Sequence, residues 1–121
     1  MTKKLYYLST CSTCKKIMDS LGDLLTGFKT QDIKHEPLTL DQVDEMRKLA
    51  GSYESLFSRK AMKYRALGLA EKSLDEEDYR KLIAEEYTFL KRPVFIVGEA
   101  IFIGNTKKVQ EQLQQCLEEM G

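Results

Sequence analysis

The sequence has 121 residues, 42% of them hydrophobic, a length and composition that fit one domain with material for one core. Lys+Arg and Asp+Glu both number 19, and no basic run is present of the kind that neutralises phosphates along a duplex, so direct nucleic-acid binding is not expected. The apolar runs are too short to cross a bilayer, and Met1-Thr2-Lys3-Lys4 leads into a brief apolar stretch rather than a signal region, so no membrane attachment and a cytoplasmic location are expected.

Residues 3–8 carry continuous apolar character with two tyrosines, the pattern of a central strand covered on both faces. Cys11-Ser12-Thr13-Cys14-Lys15-Lys16 follows directly. From Thr13 onward Ile17, Met18, Leu21, Leu24 and Leu25 recur at helical spacing until Thr26-Gly27, which places both cysteines on the turn that opens a helix. Residues 28–33 read as a second strand, weakened by polar residues and stopped by His35-Glu36-Pro37. Strand, helix and strand make a right-handed βαβ unit with parallel strands, and the cysteines lie beyond the carboxyl end of the first strand, where open α/β sheets place their sites.

Thr39, with Gln42 three residues later, fits a capping box for a helix carrying Leu40, Val43, Met46 and Leu49. Residues 58–67 suit a short helix capped by Ser58 and ended by Gly68. Ser73 and Glu76 read as another capping box, for a helix whose inner face is Tyr79, Leu82 and Ile83. Residues 38–90 therefore form an all-helical insertion between strands. Arg92-Pro93 introduces Val94-Phe95-Ile96-Val97, and Gly98-Glu99 joins it to Ala100-Ile101-Phe102-Ile103, a hairpin pattern. Asn105-Thr106 caps a last helix in which Val109, Leu113, Cys116, Leu117 and Met120 share one face, and that apolar stripe accounts for Cys116.

A thiol at a helix start meets unpaired N–H groups and the positive end of the helix dipole, which favour the thiolate; Lys15 and Lys16 add positive charge. Cys11 is the candidate nucleophile, and Cys14 stands one helical turn on, able to close a disulfide with it. Two bland readings stand beside this one. The pair could be half of a zinc site, although Cys116 and His35 are the only other thiol and imidazole and neither sits in a ligand pair. The cysteines could also be inert core residues, which polar Ser12 and Thr13 between them argue against. His35 reads as a surface residue, and Asp32 and Glu36 form no paired-carboxylate constellation. Arg59, in a run with Lys60, Lys63 and Arg65, is by itself compatible with a solvated helix face.

Cys-x-x-Cys-Lys-Lys near the start, Leu56-Phe57-Ser58-Arg59-Lys60 in mid-chain and Leu90-Lys91-Arg92-Pro93-Val94 before the hairpin together resemble the ArsC family of arsenate reductases and Spx-type regulators. The resemblance implies an α/β, thioredoxin-like fold: a mixed four-stranded sheet with an all-helical insertion between the second and third strands, at about 38–90 of a single domain 1–121. It implies Cys11 as the nucleophile, Arg59 and Arg92 as the oxyanion clamp, and Pro93 as a cis-proline beside the cysteine. Ser12, Thr13, Arg59, Arg92 and Pro93 then form the expected oxyanion- or substrate-binding set around the catalytic thiols Cys11 and Cys14, with no metal ligand among them. Two departures accompany it. The reductases carry a third arginine where this chain has Ile103-Gly104-Asn105, and a histidine before the nucleophile where it has Leu8.

Two functions follow from the resemblance. One is an arsenate-reductase-like thiol oxidoreductase with no bound cofactor, drawing electrons from glutathione, glutaredoxin or thioredoxin. The other is a redox-sensing regulator that docks on RNA polymerase, with Cys11 and Cys14 as the switch.

Overall fold

The computed structural model describes residues 1–120. The chain divides into two compact units, Met1–Glu36 with Arg92–Gly121, and Pro37–Lys91. All four strands lie in the first. They are β1 (Lys3–Tyr7), β2 (Lys29–Asp32), β3 (Val94–Val97) and β4 (Ala100–Ile103), in the sheet order β2-β1-β3-β4. β1 runs parallel to β2, with Tyr7 opposite Asp32, and antiparallel to β3, with Tyr6 opposite Val94. β3 and β4 form the expected hairpin around Gly98-Glu99, where Gly98 adopts φ 63°, a conformation that costs a residue without a Cβ little. The mixed four-stranded sheet and the helical insertion between its second and third strands agree with the expected fold.

The unit's core is built on one sheet face. Leu5, Phe95 and Val97 point to the same side, where Leu21 of α1 (Ser12–Leu21) and Leu113 and Leu117 of α5 (Lys107–Met120) meet them. Fully burying each such side chain contributes roughly 1.5–3 kcal/mol. Cys116 packs against this cluster from its half-buried position. Thr106 caps α5, its Oγ1 accepting from Val109 N–H at 3.3 Å.

α1 is shorter than its apolar period suggested. It stops at Leu21 because Gly22, whose N–H makes the last helical bond to Met18, turns to φ 49°, outside the helical region; a tighter 3-10 turn, Gly22–Leu25, then keeps Leu24 and Leu25 on the core side, so the apolar spacing outlasts the helix. β2 is likewise shorter, since Phe28 N–H is taken by Leu25 in a turn before the ladder begins.

The second unit is helical, with an isolated antiparallel bridge between Phe57 and Leu90 as its one piece of strand-like pairing among the described residues. Thr39 caps α2 (Leu40–Ala50) through the expected reciprocal box with Gln42. Two caps differ from expectation. Ser58 does not cap a helix: the bridge takes its N–H to Phe89 at 2.7 Å, and the short α3 (Met62–Ala66) begins only after Ala61, with no side-chain cap. The box before α4 (Glu76–Glu85) is Asp75 with Asp78 rather than Ser73 with Glu76, because the aspartate nearer the helix fulfils the same geometry and leaves Glu76 free for another role. α2 and α4 are tied by Asp44, which accepts from Arg80 Nε at 2.7 Å and Nη2 at 3.1 Å and from the Tyr53 hydroxyl at 2.6 Å. Phe57 centres an aromatic group with Tyr64, Tyr79 and Phe89. Among the described residues no helix is long and apolar enough to cross a membrane.

Candidate active site

Cys11 is the N-cap residue of α1, in extended conformation at φ −94° and ψ 112°. A turn holds it there: Cys11 N–H donates to Leu8 carbonyl at 3.0 Å, and the Cys11 carbonyl takes the first helical bond, from Lys15 at 3.2 Å. Serine, threonine or aspartate usually caps a helix with its side-chain oxygen. A cysteine in that place presents sulfur to the same free N–H groups. Partial burial works against the thiolate, yet the Cys14 N–H, the Cys14 thiol, the Thr13 N–H and the charge of Arg92 together hold the Cys11 thiol below its usual value.

Cys14 has the opposite setting. It is 1% exposed, and burial, reinforced by its hydrogen bond to Cys11 and by the charge there, pushes its thiol up to about 11 against the Leu8 backbone and Arg92. Both thiols are free. Each favours the other's state: a thiolate at Cys11 is a good acceptor for the proton that Cys14 retains.

The nearby cation that acts on both sulfurs is Arg92, while Lys15 and Lys16 are exposed. Arg92 leads into β3 through Pro93, which is buried, and the peptide bond between them is cis. Ser12 is exposed and Thr13 half-buried; of the two, Thr13 is the one whose N–H reaches the Cys11 sulfur.

Arg59 belongs to the second unit. It is not on a helix face but in the stretch between the Phe57 bridge and α3. Its Nη2 donates to Glu54 Oε2 at 2.7 Å and to the Tyr79 hydroxyl at 2.9 Å, and its Cζ lies 5.7 Å from the Tyr79 ring centre.

Two participants escaped sequence reasoning. Asp32, at the end of β2, accepts from Ser9 N–H at 3.1 Å and Lys34 N–H at 3.2 Å and contacts the exposed His35 ring at 2.6 Å, so it fastens the loop that delivers Cys11. Its offset of 23 residues from Ser9 carries no local pattern; a carboxylate at a strand's carboxyl end was the one available signal. Glu54 is the other, five residues before its arginine in a segment with no clear period.

The family model described as "ArsC family" matches residues 6–113. The chain is 26% identical over 107 residues to the uncharacterized protein YusI of Bacillus subtilis, covering 86% of this chain and 91% of that one. It is 25% identical over 101 residues to the global transcriptional regulator Spx of the same organism, 83% and 77% of the two chains. The solution structure of an arsenate reductase (ArsC) related protein from Brucella melitensis superposes with a TM-score of 0.71 at 25% identity, over 93% of both chains. With the family match running from β1 into α5, and with the thioredoxin-like sheet bearing a capping cysteine at the head of its first helix, this chain belongs to the ArsC family.

Proposed function

We propose that this chain is a thiol-dependent oxidoreductase of the arsenate-reductase-like kind, with Cys11 as nucleophile and Cys14 as resolving thiol. What carries the reading is the opposed titration of the two cysteines. A lowered Cys11 is the more readily ionised of the two thiols, while a Cys14 held at about 11 stays protonated and does not compete for the substrate.

The Cys11 thiolate attacks arsenic(V) and a hydroxide leaves, protonated to water, giving a sulfur–arsenic bond. Cys14, losing its proton, attacks the Cys11 sulfur. The sulfur–arsenic electron pair leaves with arsenic, which departs as arsenite, and a Cys11–Cys14 disulfide forms. Dithiol and arsenate thus become disulfide, arsenite and water. Two further thiols, from glutathione, glutaredoxin or thioredoxin, return the disulfide to its starting state. A disulfide substrate would be opened by the same attack. Arg92 balances the charge where thiolate and oxyanion meet, and Arg59 is the second guanidinium that the family resemblance assigns to the oxyanion. The reading is tested by arsenate-dependent and disulfide-dependent oxidation of glutathione with glutaredoxin supplied, comparing wild type with Cys11→Ser. Turnover of either substrate that Cys11→Ser abolishes supports it; no turnover of either contradicts it.

A second reading is favoured by the similarity to Spx, which extends over 83% of this chain. The same thiol pair would then be a redox switch, and the chain would dock on RNA polymerase. Retention of RNA polymerase by the immobilised chain, changing between reduced and oxidised protein, favours the regulator.

A further inference from the structure

Glu54, Arg59 and Tyr79 close a ring of polar contacts within the second unit. Arg59 Nη2 donates to Glu54 Oε2 at 2.7 Å and to the Tyr79 hydroxyl at 2.9 Å, and that hydroxyl donates to the same Oε2 at 3.4 Å. The carboxylate is held in place from behind. Glu76 accepts from Tyr53 N–H at 2.8 Å through Oε1 and from Glu54 N–H at 3.0 Å through Oε2, which pins the 3-10 turn Glu54–Leu56. Glu76 and Tyr79 stand one turn apart on α4, so a single helix face anchors the backbone that bears Glu54 and sets a hydroxyl against Arg59. Tyr79 is itself fixed by Phe57, whose ring centre lies 4.8 Å away.

We propose that Glu54 is the resident anion of the Arg59 guanidinium, a specificity-determining carboxylate that an incoming oxyanion has to displace. The inference rests on Arg59 being an oxyanion-binding residue, as in the function proposed above. A guanidinium fork offers the same donors to a carboxylate as to a tetrahedral oxyanion, so Glu54 occupies donors the substrate needs. The occupation is reversible. The side chains of Arg59 and Glu54 are 47% and 56% exposed, and ion pairs in such settings are worth little, so the carboxylate biases the site without sealing it. A monoanion gains nothing by exchanging with a carboxylate already in place, whereas a doubly charged tetrahedral oxyanion does. Tyr79 is positioned to pass its donated hydrogen bond from Glu54 to the newcomer.

The test is a titration of the full chain with inorganic phosphate at fixed ionic strength, followed by NMR at the Arg59 Nε–Hε and at the backbone amides of residues 53–59. Glu54→Gln and Glu54→Ser are each expected to bind phosphate about two- to fivefold more tightly than wild type. Arg59→Ala should abolish the saturable response, and Glu54→Gln added to it should change nothing. A residue that merely supported the turn would weaken binding when replaced. Equal or weaker binding by both Glu54 variants overturns the proposal, and so does loss of folding in both, because a displaceable carboxylate cannot be one on which the fold depends. Phosphate protection of Cys11 against alkylation separates this proposal from the reaction on which it rests. Tighter phosphate binding in the Glu54 variants without protection of Cys11 upholds Glu54 and removes Arg59 from the thiol chemistry. Protection of Cys11 with unchanged binding in the Glu54 variants does the reverse.

Discussion

Cys14 acts on Cys11 twice, through its backbone N–H and through its thiol, and Cys11 in return helps to keep the Cys14 proton in place. The spacing of the two residues makes this possible. An N-cap residue faces the N–H of the residue three places on, and in this chain that residue is the second cysteine, buried on the inner side of α1. The two thiols are thereby told apart by position alone.

Removing the donors one at a time should slow Cys11. Cys14→Ala keeps the N–H but loses the thiol donor, and Arg92→Ala loses the favourable charge; each should reduce Cys11 alkylation at pH 7 by about two- to tenfold. Cys14→Ser and Arg92→Lys, which keep a hydroxyl donor and a positive charge, should lose less. Iodoacetamide rates mapped by peptide mass check the order. An Arg92→Ala rate equal to wild type would remove the arginine from the account.

Arsenate turnover should be weak. The strand register sets Ile103 opposite Val94, and Gly104 N–H donates to the Pro93 carbonyl at 2.9 Å, so the stretch that carries a third arginine in the reductases lies beside Pro93 and offers no cation here. One charge-assisted contact fewer to an oxyanion in the transition state costs on the order of 2–4 kcal/mol, roughly thirty- to a thousand-fold in rate. Arsenate-dependent oxidation of glutathione, compared among wild type, Cys11→Ser and Arg92→Ala, measures it. Robust wild-type turnover lost in both variants would show that two arginines suffice.

What the residue pattern made legible was whatever depends on neighbours in sequence. The Thr39 and Gln42 box, the Gly98-Glu99 hairpin and the cysteines at the head of α1 each rest on spacings of two to four residues, and the structure has them as read. The end of α1 was misread because apolar spacing reports which side faces the core and not which hydrogen bonds are made, and the 3-10 turn after Gly22 keeps that side. Ser58 and Ser73 are sound capping residues with no helix to cap, one drawn into the Phe57 bridge and the other displaced by Asp75. Long-range partners left no trace in spacing: Arg92 with Cys11, Asp32 with Ser9, Glu76 with Tyr53.

Asp32 should make the first unit acid-sensitive. Burial disfavours its charge, but hydrogen bonds from Ser9, from the His35 ring and from the Lys34 N–H outweigh that and hold the carboxyl well below the usual range. A folded-state value below the unfolded one, about 3.9, gives stability that is present above that pH and is lost as pH falls through the folded value. Melting temperatures between pH 6 and pH 3 should therefore fall less steeply in Asp32→Asn than in wild type, and the variant should melt lower at pH 6. Parallel curves would contradict the assignment.

Phe57 should matter to the second unit through packing rather than polarity. It is fully buried among Tyr64, Tyr79 and Phe89, with ring centres 5.9, 4.8 and 5.0 Å away. Phe57→Ala should destabilise by about 3–5 kcal/mol in urea unfolding, and Phe57→Leu by much less. A cost below about 1 kcal/mol for the alanine would mean that the aromatic group does not organise this unit.

The central claim is that Cys11, its thiol held below the usual value, is the most reactive of the three cysteines, while Cys14, raised to about 11, keeps its proton at neutral pH. The direct measurement is the pH dependence of alkylation at each of the three cysteines of the reduced, folded chain, resolved by peptide mass between pH 5 and pH 10. Cys11 should react fastest at pH 7, with its midpoint lowered from the usual thiol value, while Cys14, raised to about 11, should gain rate only toward the alkaline end of the range. Equal rates at all three cysteines, or Cys11 the slowest, would contradict the assignment of the nucleophile.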